Sequence, residues 1–296
     1  MSKHQPLVTV IVPAFNRVQY IDEAVSSIER QDYPWIELIV VDDGSTDGTY
    51  EALLAMEEQG RLKLLTHSGR ENRGQAAALN VGLRAARGDF VAILDSDDLF
   101  ADGKVRGQID YLVAHPEVDV IYGRGMAIDE SGNSLFPTLD DTHFETGDPS
   151  RLLLDCYVAL PGGSMVRKRL FDTVGFFEES FRASQDHDMA LRLFENGKVV
   201  FSPEIVFFYR KHSNSISNNG LETRWKIGFE ILERAQKRYP YQRTVVRKRA
   251  AVLNFRLGQV YWNTDRRIAA LPLLIKSFCL DPFRAIKVLT GQEKVQ

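Results

Sequence analysis

Residues 90–98 read Phe90-Val-Ala-Ile-Leu-Asp-Ser-Asp-Asp98. Five apolar residues after Gly88-Asp89 have the pattern of a β-strand buried on both faces. The run stops in Asp95, Asp97 and Asp98. Carboxylates crowded at the end of a buried strand repel one another unless positive charge lies between them. A divalent cation on a phosphorylated ligand supplies that charge, because such ions take one or two carboxylates plus phosphate oxygens. Ligands of open α/β sheets also bind just beyond the carboxyl ends of the strands. An isolated Asp-x-Asp is more often an ordinary polar loop capping the next helix. What decides here is the sequence around it.

Leu7–Val12, Ile36–Val41 and Leu62–Thr66 repeat the apolar strand pattern. Between the first two, Tyr20, Ile21, Ala24, Val25 and Ile28 fall at helical spacing, with Asp22 and Glu23 in the first turn. Asp47 and Thr49 precede a helical run to Met56, and the Ala-rich stretch Gly74–Ala86 stops at Gly88. Strand and helix alternating at this spacing predict a parallel sheet covered on both faces. Past Asp98 the pattern predicts a strand over Val118–Tyr122, a turn over 129–133, a helix over Ala183–Asn196 and a strand over Ile205–Tyr209. Ser213–Gly220 reads as a linker, and everything beyond it as helix. There, Val246, Ala250, Leu253, Leu257 and Tyr261 form one apolar stripe and Ile268–Phe278 another.

The chain has 296 residues, room for one large α/β domain and an appendage. Its net charge of −3 conceals an asymmetry. From Arg224 onward 16 Lys and Arg face 5 Asp and Glu, whereas the preceding residues hold 21 basic against 35 acidic side chains. That swing suggests a boundary near residue 220, with one domain over 1–220 and a basic helical region over 221–296. Cys156 and Cys279 give neither a disulfide framework nor metal-ligand spacing, so a reducing, cytoplasmic location is expected. The start lacks the apolar core of a signal peptide, and no apolar run approaches the ~20 residues that span a bilayer. The basic excess carries no nucleic-acid-reading motif, so no nucleic-acid partner is expected.

Val10-Ile-Val-Pro-Ala-Phe-Asn-Arg17 ends the first strand, and Val40-Val-Asp-Asp-Gly-Ser-Thr-Asp-Gly-Thr49 ends the second. Asn72-Arg-Gly-Gln-Ala-Ala-Ala-Leu-Asn80 opens the third helix, and Leu94-Asp-Ser-Asp-Asp98 ends the fourth strand. Further on come Gly175-Phe-Phe-Glu-Glu179, Gln185-Asp-His-Asp-Met-Ala-Leu-Arg-Leu193 and Tyr209-Arg-Lys-His212. In this order, over roughly residues 7–217, the pattern resembles family 2 glycosyltransferases. The resemblance implies a GT-A fold, that is, a Rossmann-like α/β architecture with a mixed, mainly parallel sheet. The C-terminal helical appendage lies outside it.

The resemblance also implies chemistry. It implies inverting, metal-dependent transfer from a nucleotide diphosphate sugar, a UDP-sugar first. The acceptor would be a hydroxyl of a glycan or lipid-linked molecule, in cell-surface polysaccharide or glycolipid synthesis. Donor contacts fall on Pro13, Phe15, Asp43, Arg73, Asp95 and Asp97. Among them Asp43 corresponds to the nucleobase partner, Arg73 to a base or phosphate contact, Asp95 to the ribose partner and Asp97 to the metal ligand. His212 is a second metal candidate, and because Mg²⁺ prefers oxygen ligands its participation points to Mn²⁺. Asp98 remains an alternative for that role. Asp186 matches the second residue of the family's Glu-Asp motif and is the expected general base. Gln185 stands where the family has Glu, which removes a charge beside the base.

Two other functions compete. One is a nucleotide-sugar-binding scaffold without turnover, for which Gln185 is the hint. The other is a nucleotidyltransferase, which a Gly-rich loop after the first strand would mark and Pro-Ala-Phe-Asn-Arg does not. Gly162 and Gly163 allow either close backbone approach to a ligand or a tight turn. The Arg247-Lys248-Arg249 cluster reads either as a solvated helix face or as a peripheral contact with the inner face of an anionic membrane.

Overall fold

Strand β1 (Val8–Ala14) is buried along its whole length, and the sheet is laid out from it. The computed structural model describes residues 5–212 and 220–289. These divide into two compact units, residues 5–148 with 157–212, and residues 149–156 with 220–289. The expected linker lies, but for Gly220, outside the described residues.

In the first unit β1 runs parallel to β2 (Ile36–Asp42) and to β4 (Phe90–Ile93), and β2 runs parallel to β3 (Lys63–Thr66). Val8 pairs with Ile36 and Phe90 and Ala14 with Asp42, so β1 and β2 end level, while β4 stops at Ile93 opposite Ile11. Helices α1 (Ile21–Glu29), α2 (Thr49–Glu58) and α3 (Gln75–Ala85) make the crossovers. The two-residue period of the strands sorts their side chains between two cores. Val8, Val10, Val12, Leu38 and Val40 cluster with Ile21, Ala24, Val25, Ile28 and Leu53, while Ile39 and Val41 cluster with Ala78. Each fully buried aliphatic side chain contributes roughly 1.5–3 kcal/mol, which is why these strands are apolar at nearly every position.

Past β4 come β5 (Leu99–Phe100), α4 (Lys104–Ala114), β6 (Val120–Ile128) and β7 (Ser134–Pro137). After α5 (Pro149–Leu154), which belongs to the second unit, follow the turn α6 (Leu160–Gly163), β8 (Ser164–Arg167), α7 (Lys168–Val174), α8 (Gln185–Asn196) and β9 (Val199–Arg210). The sheet order is β3-β2-β1-β4-β8-β6-β9-β5, with β7 on β6. The sheet is therefore mixed. It is parallel from β3 to β4 and mostly antiparallel beyond, where β8 pairs antiparallel with β4 and β6 while β6 and β9 are parallel. Both β6 and β9 outrun the sequence pattern. Gly123 and Gly125 interrupt the apolar run of β6 where its register against β9 shifts, so the strand continues through an irregularity that periodicity reads as an end.

In the second unit α9 (Leu221–Arg238) and α11 (Arg267–Leu280) pack on α10 (Arg243–Asn263), and α12 (Pro282–Leu289) follows. Leu253 and Leu257 of the expected α10 stripe are buried. The basic cluster does not present three cations to solvent. Arg247 and Lys248 are exposed, but Arg249 is buried and donates from its guanidinium to Leu154 O at 3.0 Å. On α11 the expected stripe faces outward, with Ile268 91%, Ile275 62% and Phe278 46% exposed, while Ala270 and Ser277 face inward. Among the described residues no helix is long and apolar enough to cross a membrane.

Candidate active site

The carboxyl ends of β1 and β2, with the chain that follows β4, form a rim on which most of the expected site residues sit. Asp42 closes β2, and its Oδ2 accepts from the N–H groups of Gly44 (3.1 Å) and Ser45 (3.2 Å). Asp42 is thus the turn former, an ordinary role for an aspartate here. Its neighbour Asp43 points the other way. Asp43 Oδ1 accepts from Arg73 N–H at 2.7 Å and Oδ2 from Gly74 N–H at 2.8 Å. His67 Nε2 lies 3.2 Å from Asp43 Oδ1. Asp43 therefore fixes the backbone that opens α3. Gly44 makes this approach possible: its φ is +81°, and a Cβ there would fall 2.7 Å from Arg70 O. The Arg73 contact to Asp43 is made by backbone, and the residue itself is exposed. Pro13 is buried in β1 and Phe15 is exposed just past its end. Asn16 ties the β1 and β2 loops together, its Oδ1 accepting from Thr46 N–H at 2.8 Å.

At the end of β4 the chain turns, and Asp98 N–H donates to Asp95 O at 3.0 Å. Asp98 is buried, and its Oδ1 accepts from Arg210 N–H at 2.8 Å. Arg210 Nε donates to Asp97 O at 3.1 Å, so Asp98 and Arg210 together hold the turn. His212 Nε2 lies 2.9 Å from Asp97 Oδ2. Its ring packs on Tyr20 with centroids 5.1 Å apart. Arg17 Nε donates to the same oxygen at 2.9 Å. Asp95 Oδ1 accepts from Gln75 Nε2 at 2.7 Å.

Burial, and then the negative charges of Asp97 and Asp186, push the Asp95 carboxyl well above the usual carboxylate range, while Arg17 and Gln75 pull it back. Burial followed by Asp95 and Asp97 does the same to Asp98. Negative charge at this rim exceeds what Arg17 offsets, which is the electrostatic condition that favours a bound cation. Among the described residues no three His, Cys, Asp or Glu side chains gather closely enough to hold a metal unaided.

The expected base arrives on α8, whose position is set through α3. Asn80 Nδ2 donates to Phe177 O and to Glu179 Oε1, both at 2.9 Å, and Phe177 N–H donates to Asn80 Oδ1 at 2.8 Å. That clamp fastens the segment 175–179, which leads into α8. Ser184 sits at φ +56° before the helix, and Asp186 lies in its first turn, close enough to raise the Asp95 pKa. Asp188 pairs with Arg192, its Oδ2 accepting from Arg192 Nε at 2.9 Å, so it acts within the helix. Gln185 Nε2 donates to Gln75 Oε1 at 2.6 Å. Gly162 answers the question left open for the paired glycines: at φ +75°, a Cβ would meet Phe207 Cδ2 at 2.4 Å, so the space is filled by packing on β9.

Two residues of the rim carry roles that sequence reading did not give them, Arg17 on Asp97 and Gln75 between Asp95 and Gln185. Their partners lie 80, 20 and 110 positions away, and no local pattern announces them.

The sequence pattern of Glycosyl transferase family 2 matches residues 9–175. An uncharacterized glycosyltransferase of Rickettsia conorii is 31% identical over 229 residues, 75% of this chain and 37% of that protein. The putative teichuronic acid biosynthesis glycosyltransferase TuaG of Bacillus subtilis is 31% identical over 242 residues, 76% of this chain and 86% of that one. Among solved structures, residues 1–349 of S. aureus TarS in complex with UDP-GlcNAc align with a TM-score of 0.71 at 20% identity, over 92% of this chain and 79% of that one. The mannosyltransferase PcManGT of Pyrobaculum calidifontis, in complex with GDP-Man and Mn²⁺, aligns with a TM-score of 0.61 at 20% identity, over 98% of this chain and 80% of that one. At such identities the two structures establish a shared GT-A fold.

Proposed function

The chain belongs to glycosyl transferase family 2, and on that premise we propose an inverting, metal-dependent transfer of one sugar from a nucleoside diphosphate donor. The acceptor is a hydroxyl of a glycan or lipid-linked molecule, in cell-surface polysaccharide or glycolipid synthesis, a setting consistent with the name of the Bacillus subtilis relative. The observation that carries this reading is the gathering of Asp95, Asp97 and Asp186 at one rim, with negative charge in excess of its cations.

Each side chain has a part. A carboxylate offers about four acceptor positions, so Asp43 keeps capacity for a nucleobase imide beyond its two backbone bonds. Asp95 takes the ribose. Asp97 and His212 would hold a divalent ion together with diphosphate oxygens, and the imidazole favours Mn²⁺ over Mg²⁺. That ion, when bound, neutralises charge on the leaving diphosphate. Arg17, already on Asp97, adds a fixed cation beside it, and Arg73 adds another at the start of α3, where backbone N–H groups favour anions. Asp186 takes the proton of the acceptor hydroxyl as that oxygen bonds to the anomeric carbon. The bond to the diphosphate breaks with its electron pair on the leaving group, and the configuration inverts.

A UDP-sugar is the first donor to test, since a UDP-GlcNAc complex is known for the similarly folded TarS. Contact with the inner face of a membrane would rest on the second unit, where Arg247 and Lys248 share exposure with the α11 stripe. Nucleotide sugars screened for thermal stabilisation test the reading. A donor at 100 times its Kd adds about 2.7 kcal/mol, and this should require Mn²⁺. No stabilisation by any nucleotide sugar, with or without Mn²⁺, would contradict it.

A further inference from the structure

Gln75 opens α3 and Gln185 opens α8, and their side-chain amides meet across the rim. The bridge runs in one direction: Gln75 turns its NH₂ toward Asp95, whose Oδ1 accepts at 2.7 Å, and its carbonyl toward Gln185. Gln185 must then donate, as it does at 2.6 Å, and its own Oε1 is left buried without a hydrogen-bond partner among the described residues. A glutamate at 185 would set a carboxylate against the Gln75 carbonyl, two acceptors with no proton between them.

We propose that Gln75 and Gln185 are a matched pair of positioning residues that tether the start of α8, and with it Asp186, to Asp95. The inference rests on reading the rim as a glycosyl-transfer site, in which Asp95 belongs to the donor and Asp186 to the acceptor. The pair touches neither reacting atom; it fixes the distance between the two groups that do. A further carboxylate beside Asp95, Asp97 and Asp186 would add repulsion that Arg17 does not offset.

Gln75→Met, Gln185→Met, the double variant and Gln185→Glu test the tether in the full chain. Steady-state kinetics, donor binding by calorimetry with Mn²⁺, and backbone hydrogen exchange across 183–189 would be measured. Misplacing a catalytic group by about 1 Å can cost about a hundredfold, so each Met variant should lower kcat by at least about tenfold. Donor Kd should change less than about threefold, and the double variant should be no worse than either single, as for residues acting as one unit. Gln185→Glu should lose more kcat than Gln185→Met. The segment 183–189 should exchange faster in Gln75→Met than in the wild type, a readout that needs no turnover. Additive losses, wild-type kcat in Gln185→Glu, or unchanged exchange across 183–189 would overturn the proposal. A wild-type chain that binds no nucleotide sugar would count instead against the transferase reading, and the exchange result would still decide the tether.

Discussion

At the rim of the sheet Asp43, Asp95, Asp97 and Asp98 each accept a hydrogen bond of 2.9 Å or shorter, whereas on α11 Ile268, Ile275 and Phe278 stand in solvent. The two regions obey the same energetics from opposite sides. A buried polar group without a partner costs about 1–3 kcal/mol, so the rim is organised by its own chain before any ligand arrives. An exposed apolar side chain leaves the fold intact and burdens only the surrounding water. The first unit gathers preorganised polar groups at its rim, and the second turns apolar side chains outward on α11.

The largest expected effect comes from removing Asp97, on which Arg17 and His212 converge. Asp97→Ala should abolish both transfer and Mn²⁺-dependent binding of a nucleoside diphosphate by calorimetry, with circular dichroism unchanged. A folded variant with undiminished metal-dependent affinity would break the rim's half of the comparison. Next comes Asp186→Asn, which removes an interaction made as the bond forms. Transfer should fall by about 10²- to 10⁴-fold while donor Kd stays put. Equal losses in binding and rate would mean that Asp186 serves the donor.

In the second unit the contrast can be tested within three residues. Arg249→Met leaves Leu154 O without its donor and should cost about 1–3 kcal/mol by denaturant unfolding, whereas Arg247→Met at the surface should stay within about 0.5 kcal/mol. Similar values for both would mean that the buried guanidinium contributes nothing beyond its exposed neighbour. The smallest effect is expected on α11. The wild-type chain should sediment with anionic but not neutral vesicles, less so as salt is added, since each basic residue near such a surface contributes ~1 kcal/mol. Ile275→Ser with Phe278→Ser should weaken that sedimentation several-fold. Equal recovery with neutral and anionic vesicles would leave the stripe without a membrane role.

Much of the rim is legible in sequence because burial writes it there. β1, β2 and β4 are apolar runs cut short by polar residues, and two-sided burial permits little else. Asp43 is harder. It follows Asp42 directly, and only the alternating direction of side chains at a strand end separates the turn former from the one that reaches α3. Arg17, Gln75 and Gln185 escape because their roles come from pairings that no local period encodes. Short β5 and β8 leave no periodic trace either. The α11 stripe shows the converse limit. Helical spacing tells which residues share a face, not whether another element covers it, and here Ala270 and Ser277 are the residues that turn inward. Arg249 teaches the same about charge, since the basic run 247–249 does not itself tell which of its residues turns inward.

The anomeric configuration of the first product, read by proton NMR from the coupling at the new glycosidic centre, tests the central claim most directly. With Mn²⁺ and a donor that stabilises the protein, a single displacement assisted by Asp186 predicts a configuration opposite to that of the donor. A product that keeps the donor's configuration would contradict it.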